Sequence, residues 1–318
     1  MALTKVSRGL LGGSDTKNLI INGAMQIAQR GTSFTPSAGD YTLDRWRCGF
    51  NNSSPTVTQE TGNTFGTQRT HIKLVTGGTS TYAYVAQRIE DIAQFDGKTI
   101  TVSFDYKSDN DFGCSFEYHF GSGGSSSLYD KHGNTISASA TVKRASVTVT
   151  LDDISGKSIG EASTSHLDLL FNMTANNKTF EITNVQLEVG NVATPFEHRS
   201  YAEELALCQR YFFTVGRDGG NTTNYMFGGI ESTIGGAVGG LAFPNTMRAI
   251  PSVSAGSGVK IWSATGGGTS TWAIATNRCS KEIGAFTVSG LSGRTVGQVA
   301  TAYRGSSTNP YIDFDAEL

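Results

Sequence analysis

Between Asn18 and about Arg199 apolar and polar residues alternate with a period of two. In Lys98–Lys107 (KTITVSFDYK), Ile100, Val102, Phe104 and Tyr106 share one face, and Thr99, Thr101, Ser103 and Asp105 the other. Cys114, Phe116, Tyr118 and Phe120 alternate with Ser115, Glu117 and His119. Val147, Val149 and Leu151 alternate with Thr148 and Thr150, and Leu167, Leu169, Phe171 and Met173 repeat the theme. Successive side chains of a strand point to opposite faces, so each run predicts a half-buried strand. Phe180 and Ile182 are in one phase, Val185, Leu187 and Val189 in the other. The slip at Thr183-Asn184 predicts a bulge or a strand crossing between sheets. Turn signals at Gly77-Gly78, Asp96-Gly97, Gly121–Gly124, Gly133-Asn134 and Asn176-Asn177 separate the runs. So many short strands over about 180 residues predict a β-sandwich of jelly-roll type. Within it, Ala86–Phe95 (AQRIEDIAQF) reads as one or two helical turns.

Pro195 breaks the pattern. Ser200-Tyr201-Ala202-Glu203 then matches a capping box, with Leu205, Cys208 and Phe212 at helical spacing behind it. A helix over Tyr201–Phe213 is expected, at the joint between two domains. From Thr214 to Leu318 strands resume between glycine-rich bends, and the closing NPYIDFDAEL sets Ile312, Phe314, Ala316 and Leu318 on one face. That last strand is expected to be pinned into a sheet. The expected organisation is all-β: an arm (residues 1–16), a jelly-roll sandwich (17–199), a linking helix (200–213) and a C-terminal β-sandwich tip (214–318). A glycine-rich tip of about 105 residues is marginal by itself, and an oligomer would bury more of it.

Composition supports strands. Glycine, serine and threonine make up 110 of 318 residues, and all three weaken helix interiors. Charged residues are 16% and the net charge is -2, which gives no basic field for nucleic acid or an anionic membrane. No apolar run reaches the length of a membrane-spanning helix, and Met1–Lys5 lacks a signal-peptide core, so synthesis in a cytosol is expected. Cys48, Cys114, Cys208 and Cys279 are spaced for neither a zinc site nor a disulfide framework; they read as separate, mostly buried thiols.

Motifs for catalysis are missing. Gly156-Lys157-Ser158 lacks the leading glycine of a phosphate loop, since Leu151 stands there. The five histidines show no HExxH or HxH pairing, and His119 reads as a hydrogen-bonded residue on a polar strand face. No nucleophile elbow and no solenoid period are visible. Asp105, Glu117, Asp152 and Asp153 are carboxylates of the kind glycosidases use, but nothing in the sequence pairs them. Asp109, Asp111, Asp152 and Asp153 offer oxygens to a possible structural calcium, although solvated loop acids are the plainer reading. No catalytic residue, metal ligand or cofactor is therefore assigned.

Several segments resemble the tail-fibre and receptor-binding proteins of tailed bacteriophages. These are NLIINGAMQIAQRG (Asn18–Gly31) leading to YTLDRW (Tyr41–Trp46), and VQLEVGNVATPFEHRSYAEELALCQRYF (Val185–Phe212). Gln87–Phe104 and Ser146–Gly160 resemble that family's carbohydrate-binding-module-like jelly roll, and Phe243–Val253 and Tyr311–Leu318 its C-terminal tip. The resemblance implies a homotrimeric virion component made in the host cytoplasm. Its partners would be tail or adaptor proteins, through an arm carrying Leu3, Val6, Leu10 and Leu11, and host-surface polysaccharide or lipopolysaccharide, without membrane insertion. The brief lead before the sandwich suggests a short fibre, a distal piece on an adaptor, or a head fibre. A purely structural virion part and a polysaccharide-degrading enzyme are the alternatives. Asp44-Arg45-Trp46 has two readings, Trp46 on a sugar ring or Trp46 in the core with its neighbours fixing the start of a strand; the resemblance favours the second. Flat rings match pyranose faces, and in the tip Trp262, Trp272, Tyr225 and Tyr303 lie among Gly/Ser/Thr loops, with Arg304, Asn309 and Asn224 as polar companions. These are the expected saccharide contacts.

Overall fold

The structure, a computed structural model, describes residues 17–217, 225–233, 236–256, 259–263, 266–269, 279–288, 296, 299–304 and 311–318. The arm with Leu3, Val6, Leu10 and Leu11 lies outside the described residues. The chain divides into two compact units. One comprises residues up to Gln26, Ser33–Tyr41 and Trp46–Arg199; the other comprises Ile27–Thr32, Thr42–Arg45 and Ser200–Leu318. The second unit thus takes two pieces, 27–32 and 42–45, from the stretch that the sequence pattern gives to the sandwich.

The first unit is all-β, with jelly-roll character. Its strands are β1 (Ser33–Phe34), β2 (Arg47–Phe50), β3 (Thr56–Gly62), β4 (Arg69–Val75), β5 (Ala83–Glu90), β6 (Thr99–Ser108), β7 (Phe112–Phe120), β8 (Leu128–Ile136), β9 (Ser139–Thr150), β10 (Ser165–Met173) and β11 (Thr179–Val189). They form a six-stranded sheet, β1-β3-β4-β11-β6-β9, and a five-stranded sheet, β2-β5-β10-β7-β8. The apolar halves of the alternating runs meet between them: Ile100, Val102, Phe104, Cys114, Phe116, Tyr118, Leu167, Leu169 and Phe171 are all buried. Phe104 of one sheet meets Phe171 of the other edge-on, ring centroids 4.8 Å apart, the geometry the aromatic quadrupole favours. The phase slip is a bulge: the β11–β6 register shifts between Thr183 and Gln186, and Asn184 takes a left-handed φ of 51°. The expected helical turns over Ala86–Phe95 are corrected. Ala83–Glu90 is a strand, because β2 and β10 flank it and take its backbone hydrogen bonds; only Ile92–Phe95 forms a single 3-10 turn.

A polar clasp holds the start of this unit to β11. The Asn18 side chain donates to the Val185 carbonyl (3.1 Å), while its Oδ1 accepts from the amides of Ile20 (2.9 Å) and Leu187 (3.1 Å). Trp46 is fully buried and donates its indole N–H to the Asn22 carbonyl (3.1 Å), so its ring serves the core and is closed to a sugar. All four cysteines are buried and unbridged.

In the second unit, Ser200 caps α1 (Tyr201–Gln209) with the full reciprocal box: the Glu203 amide donates to Ser200 Oγ (3.3 Å) and the Ser200 amide to Glu203 Oε2 (2.9 Å). The helix stops earlier than expected. Phe212 and Phe213 belong to strand β12 (Phe212–Val215), which pairs with the closing strand, so the sheet takes their backbone groups. The remaining strands are β13 (Tyr225–Thr233), β14 (Gly236–Ala242), β15 (Ser252–Ala255), β16 (Val259–Ser263), β17 (Gly266–Thr269), β18 (Ile283–Val288), β19 (Val299–Arg304) and β20 (Ile312–Asp315). They build a three-stranded sheet, β12-β20-β15, and a six-stranded sheet, β17-β16-β19-β13-β14-β18. Phe243 and Phe314 pack edge-on at 4.9 Å against Gly284, where a Cβ would lie 2.5 Å from the Phe314 ring. The closing strand is pinned as expected, with Ile312, Phe314 and Ala316 buried. Its opposite face is ionic: Arg30 meets Asp315 (3.1 Å) and Glu317 (3.4 Å), Arg45 pairs with Glu317, and Asp44 accepts from the Gln29 amide and side chain (2.6 Å each).

Two outcomes follow for the first unit. Asn18→Ala leaves a buried carbonyl and two buried amides without partners and lowers stability by about 2–4 kcal/mol in urea unfolding. His71, buried 3.1 Å from Glu181, is held below the ordinary histidine range by burial, against the pull of that carboxylate. The unfolded chain therefore binds the extra proton as pH falls through about 6.5, and stability present above that pH is lost below it. The urea midpoint should fall between pH 7 and pH 5, and fall less in His71→Gln.

Candidate functional site

The pleat that turns Leu167, Leu169, Phe171 and Met173 inward turns His166, Asp168, Leu170 and Asn172 onto the outward face of the five-stranded sheet. Cross-strand register then builds rows. Arg88, Asp168 and Glu117 align across β5, β10 and β7; Glu90, His166 and His119 form the next row. Toward the other end lie Ala86, Leu170 and Ser115, then Tyr84, Asn172 and Gly113, with Arg47 opposite Ala86 and Gly49 opposite Tyr84. Small residues let rings lie flat here: a Cβ on Gly49 would sit 2.2 Å from the Tyr84 ring. Tyr82, half-exposed, stacks parallel to Tyr84 with centroids 6.3 Å apart. At the other end the exposed Tyr129 ring meets His119 edge-on at 5.7 Å.

Asp168 is the electrostatic centre. It is fully buried, with Arg47 Nη1 and Arg88 Nε each 3.6 Å, His119 Nε2 3.5 Å and His166 Nε2 3.8 Å from its oxygens. Neither oxygen accepts a hydrogen bond within the protein. Burial pushes its carboxyl above the ordinary range, and the charges of Arg88, His119 and Arg47 oppose that rise. His166 is pushed down to about 2, first by burial and then by Arg88, His119 and Arg47; its ring is neutral at neutral pH. Burial also raises the Tyr84 phenol. Asn172 Oδ1 and Arg47 Nε are buried without hydrogen-bond partners. The face therefore combines half-exposed rings and charged side chains with a desolvated layer beneath that orients them. Chemically it suits recognition of a ligand with flat apolar faces and many hydroxyls.

The residues expected to contact saccharide are placed only in part. Trp272, Asn224 and Asn309 lie outside the described residues. Tyr225, Trp262, Tyr303 and Arg304 have described backbones in β13, β16 and β19; their side chains lie outside the description. Register sets Tyr225 and Lys260 on either side of Tyr303, Trp262 opposite Thr301, and Val259 opposite Arg304. Of the acids considered for calcium, Asp109 and Asp111 accept from the amides of Thr179 (3.0 Å) and Ala138 (2.7 Å), and Asp153 from that of Ser155 (2.8 Å). Asp152 faces His132 at 3.4 Å. The sequence pattern does not single out Arg47, Tyr84, Arg88 or Asp168, and it gives His166 no paired partner. The signal available was the polar half of the β10 alternation; its partners on β5 and β7 became visible only with the register.

No family model and no curated protein matches the chain. Among solved structures it is similar to the enzymatically active domain of bacteriophage CBA120 tailspike protein 4, at 16% identity over 55% of this chain, with a TM-score of 0.39. The chain spans 22% of that tailspike domain's length. It is similar to a family 61 carbohydrate-binding module, TmCBM61, in complex with β-1,4-galactotriose (9% identity, 55% of this chain, 100% of that one, TM-score 0.33). It is also similar to a family 4 carbohydrate-binding module (18% identity, 53% and 98%, TM-score 0.32).

Asp168→Asn keeps the shape of the side chain but removes the carboxylate charge that faces Arg47 and Arg88. It should lower stability by about 1–3 kcal/mol. The double variant with Arg88→Gln should lose less than the two single losses combined, which a double-mutant cycle in urea measures directly.

Proposed function

We propose that this chain is a non-catalytic receptor-binding fibre component of a tailed phage, which adheres to host-surface saccharide through the outward face of the five-stranded sheet. The observation that carries the site is the convergence on one face of Tyr82, Tyr84 and Tyr129 with Arg47, Arg88, Glu117 and Asn172, above the buried charge of Asp168. Rings supply flat apolar contact, and the guanidiniums, carboxylate and amide supply hydrogen bonds to hydroxyls. The phage assignment is supported by the sequence motifs. Asn18, Asn22, Trp46 and Val185, all within the resembling segments, are the residues that clasp the sandwich. A homotrimer presenting three such faces would convert weak single-site binding into avidity, with gains of about 10²–10⁴ where spacing allows. Binding alone accomplishes adhesion, so the proposal invokes no bond-breaking step.

Labelling of a bacterial polysaccharide panel by the full-length fluorescent protein tests this reading, with light scattering to count chains. Tyr84→Ala and Arg88→Ala should each weaken binding at least tenfold while the trimer persists. Trp262→Ala and Trp272→Ala should leave it near wild type. Binding that survives both sheet variants and is lost with the tryptophans moves the site to the tip. A chain that stays monomeric removes the avidity argument.

A further inference from the structure

Two imidazoles and a carboxylate converge here; His119 Nε2 is hydrogen-bonded to Glu117 Oε2 at 3.4 Å, while His166 Nε2 and both Asp168 oxygens have no hydrogen bond from the protein. His166 of β10 and His119 of β7 are register partners, their rings stacked with centroids 4.4 Å apart. Asp168 follows His166 on the same face. The three residues offer ligand atoms all within 4.8 Å of one another. His119 Nε2 lies 3.5 Å and His166 Nε2 3.8 Å from Asp168 Oδ2, and Glu117 Oε2 lies 3.4 Å from His119 Nε2. Bonds of about 2.0–2.1 Å to a tetrahedral zinc ion set ligand atoms about 3.3 Å apart. The two separations from Asp168 exceed this by a few tenths of an ångström; the three ligand atoms lie within 4.8 Å, and the stacked rings would have to turn toward each other for both Nε2 lone pairs to reach one ion.

The proton positions argue the same way. His166 Nδ1 lies 3.0 Å from the Thr164 carbonyl, which can only accept. Nδ1 carries the hydrogen of the neutral ring, and the lone pair of Nε2 faces the carboxylate of Asp168. Both groups are buried, at 5% and 0% exposure, and neither His166 Nε2 nor either Asp168 oxygen has a hydrogen-bond partner. Two buried acceptors facing each other repel, and either a shared proton or a cation between them relieves that repulsion. The second imidazole is braced from behind, with Ser127 Oγ 3.2 Å from His119 Nδ1. Metal-bound histidines are commonly oriented by such outer contacts.

We propose that His119, His166 and Asp168 bind a divalent first-row transition cation such as zinc, with Glu117 placed to complete the coordination. Two imidazole nitrogens with carboxylate oxygens suit these ions; calcium and magnesium require an all-oxygen shell. Arg47 and Arg88, each 3.6 Å from Asp168, oppose the added charge, and Glu117 offsets part of it. The ion would tie β7 to β10 and fix the charged rows above. This site shares Glu117 and the Asp168 row with the proposed saccharide face, but its test does not depend on saccharide binding.

The test uses the full chain, freed of metal with a chelator and dialysed. Calorimetric titration with zinc chloride should give one ion per chain and raise the melting temperature. Cobalt(II) should show the intense visible absorption of a tetrahedral site. His119→Gln with His166→Gln should weaken zinc binding at least tenfold and abolish the cobalt spectrum, whereas His71→Gln, His132→Gln and His198→Gln should retain both. His119→Gln alone, at a half-exposed position, guards against misfolding as the cause, with circular dichroism as the check. Absence of stoichiometric zinc uptake by the wild type would falsify the site. Undiminished binding by the double variant would overturn it equally, by placing the ion elsewhere. Saccharide binding by the metal-free protein is read separately, so either proposal can fail alone.

Discussion

The pleat of β10 is the constraint on which the rest depends. Each inward residue, from Leu167 to Met173, is needed to fill the space between two sheets, so each neighbour must face outward. β10 is the middle strand of five, with β5 and β7 on either side. Its outward side chains are therefore screened laterally by two neighbouring rows. Lateral screening is why His166 and Asp168 are buried although they point away from the core. Their perturbed protonation follows from that placement, because desolvation is the largest influence on both. A slip of one residue in register would send these polar groups into the core and the leucines out, so the same packing that stabilises the sandwich also fixes the site.

The clasp around Asn18 acts on this constraint from outside. A segment without strand hydrogen bonds must still satisfy its backbone. Here Leu19 donates to the Leu187 carbonyl and Val185 to that of Gly23, while the side chains of Asn18, Gln87, Trp46, Arg199, Gln59 and Thr70 provide further partners. The motif residues that resemble phage fibres are thus explained by backbone accounting, and none of them needs a ligand to account for its presence. Apart from Arg88, which lies in the resembling segment Gln87–Phe104, the resembling segments and the proposed adhesive face involve different residues, so the motifs do not specify a receptor.

The sequence disclosed what is local. Alternation named the faces of β6, β7, β10 and β11, a phase slip located the bulge at Asn184, and Ser200 with Glu203 marked the helix start. What depends on distant partners stayed hidden. Ala86–Glu90 has helical spacing of apolar residues, yet two flanking strands claim its backbone. The helix at Tyr201 ends early because Phe212 pairs with Asp315, about a hundred residues later in the chain. Arg45 and Glu317 meet only in the folded second unit, so the assignment of residues 42–45 to it has no local signature. The histidines read as unpaired in the sequence for the same reason: His119 and His166 are neighbours through register, and no spacing motif records register.

The two outward faces of the sandwich show what structure alone asks of a sheet surface. On the six-stranded sheet, hydroxyls pair across strands, Thr99 with Thr150 and Thr101 with Thr148 at 2.9 Å each, and Arg144 reaches both Ser103 (2.8 Å) and Asp105 (3.0 Å). That sheet meets most of its polar groups internally and leaves His71 Nδ1 and Asn184 Oδ1 buried without hydrogen bonds. The five-stranded sheet concentrates such atoms on its middle strand, at both oxygens of Asp168, at His166 Nε2 and at Asn172 Oδ1. A buried polar atom without a partner costs about 1–3 kcal/mol, and replacing a whole buried ionic cluster with apolar side chains is often neutral or stabilising. On β10 that cost is concentrated at one set of registered residues, on a face rimmed by tyrosines, and it would be reduced if a bound group supplied the missing hydrogen bonds and charges.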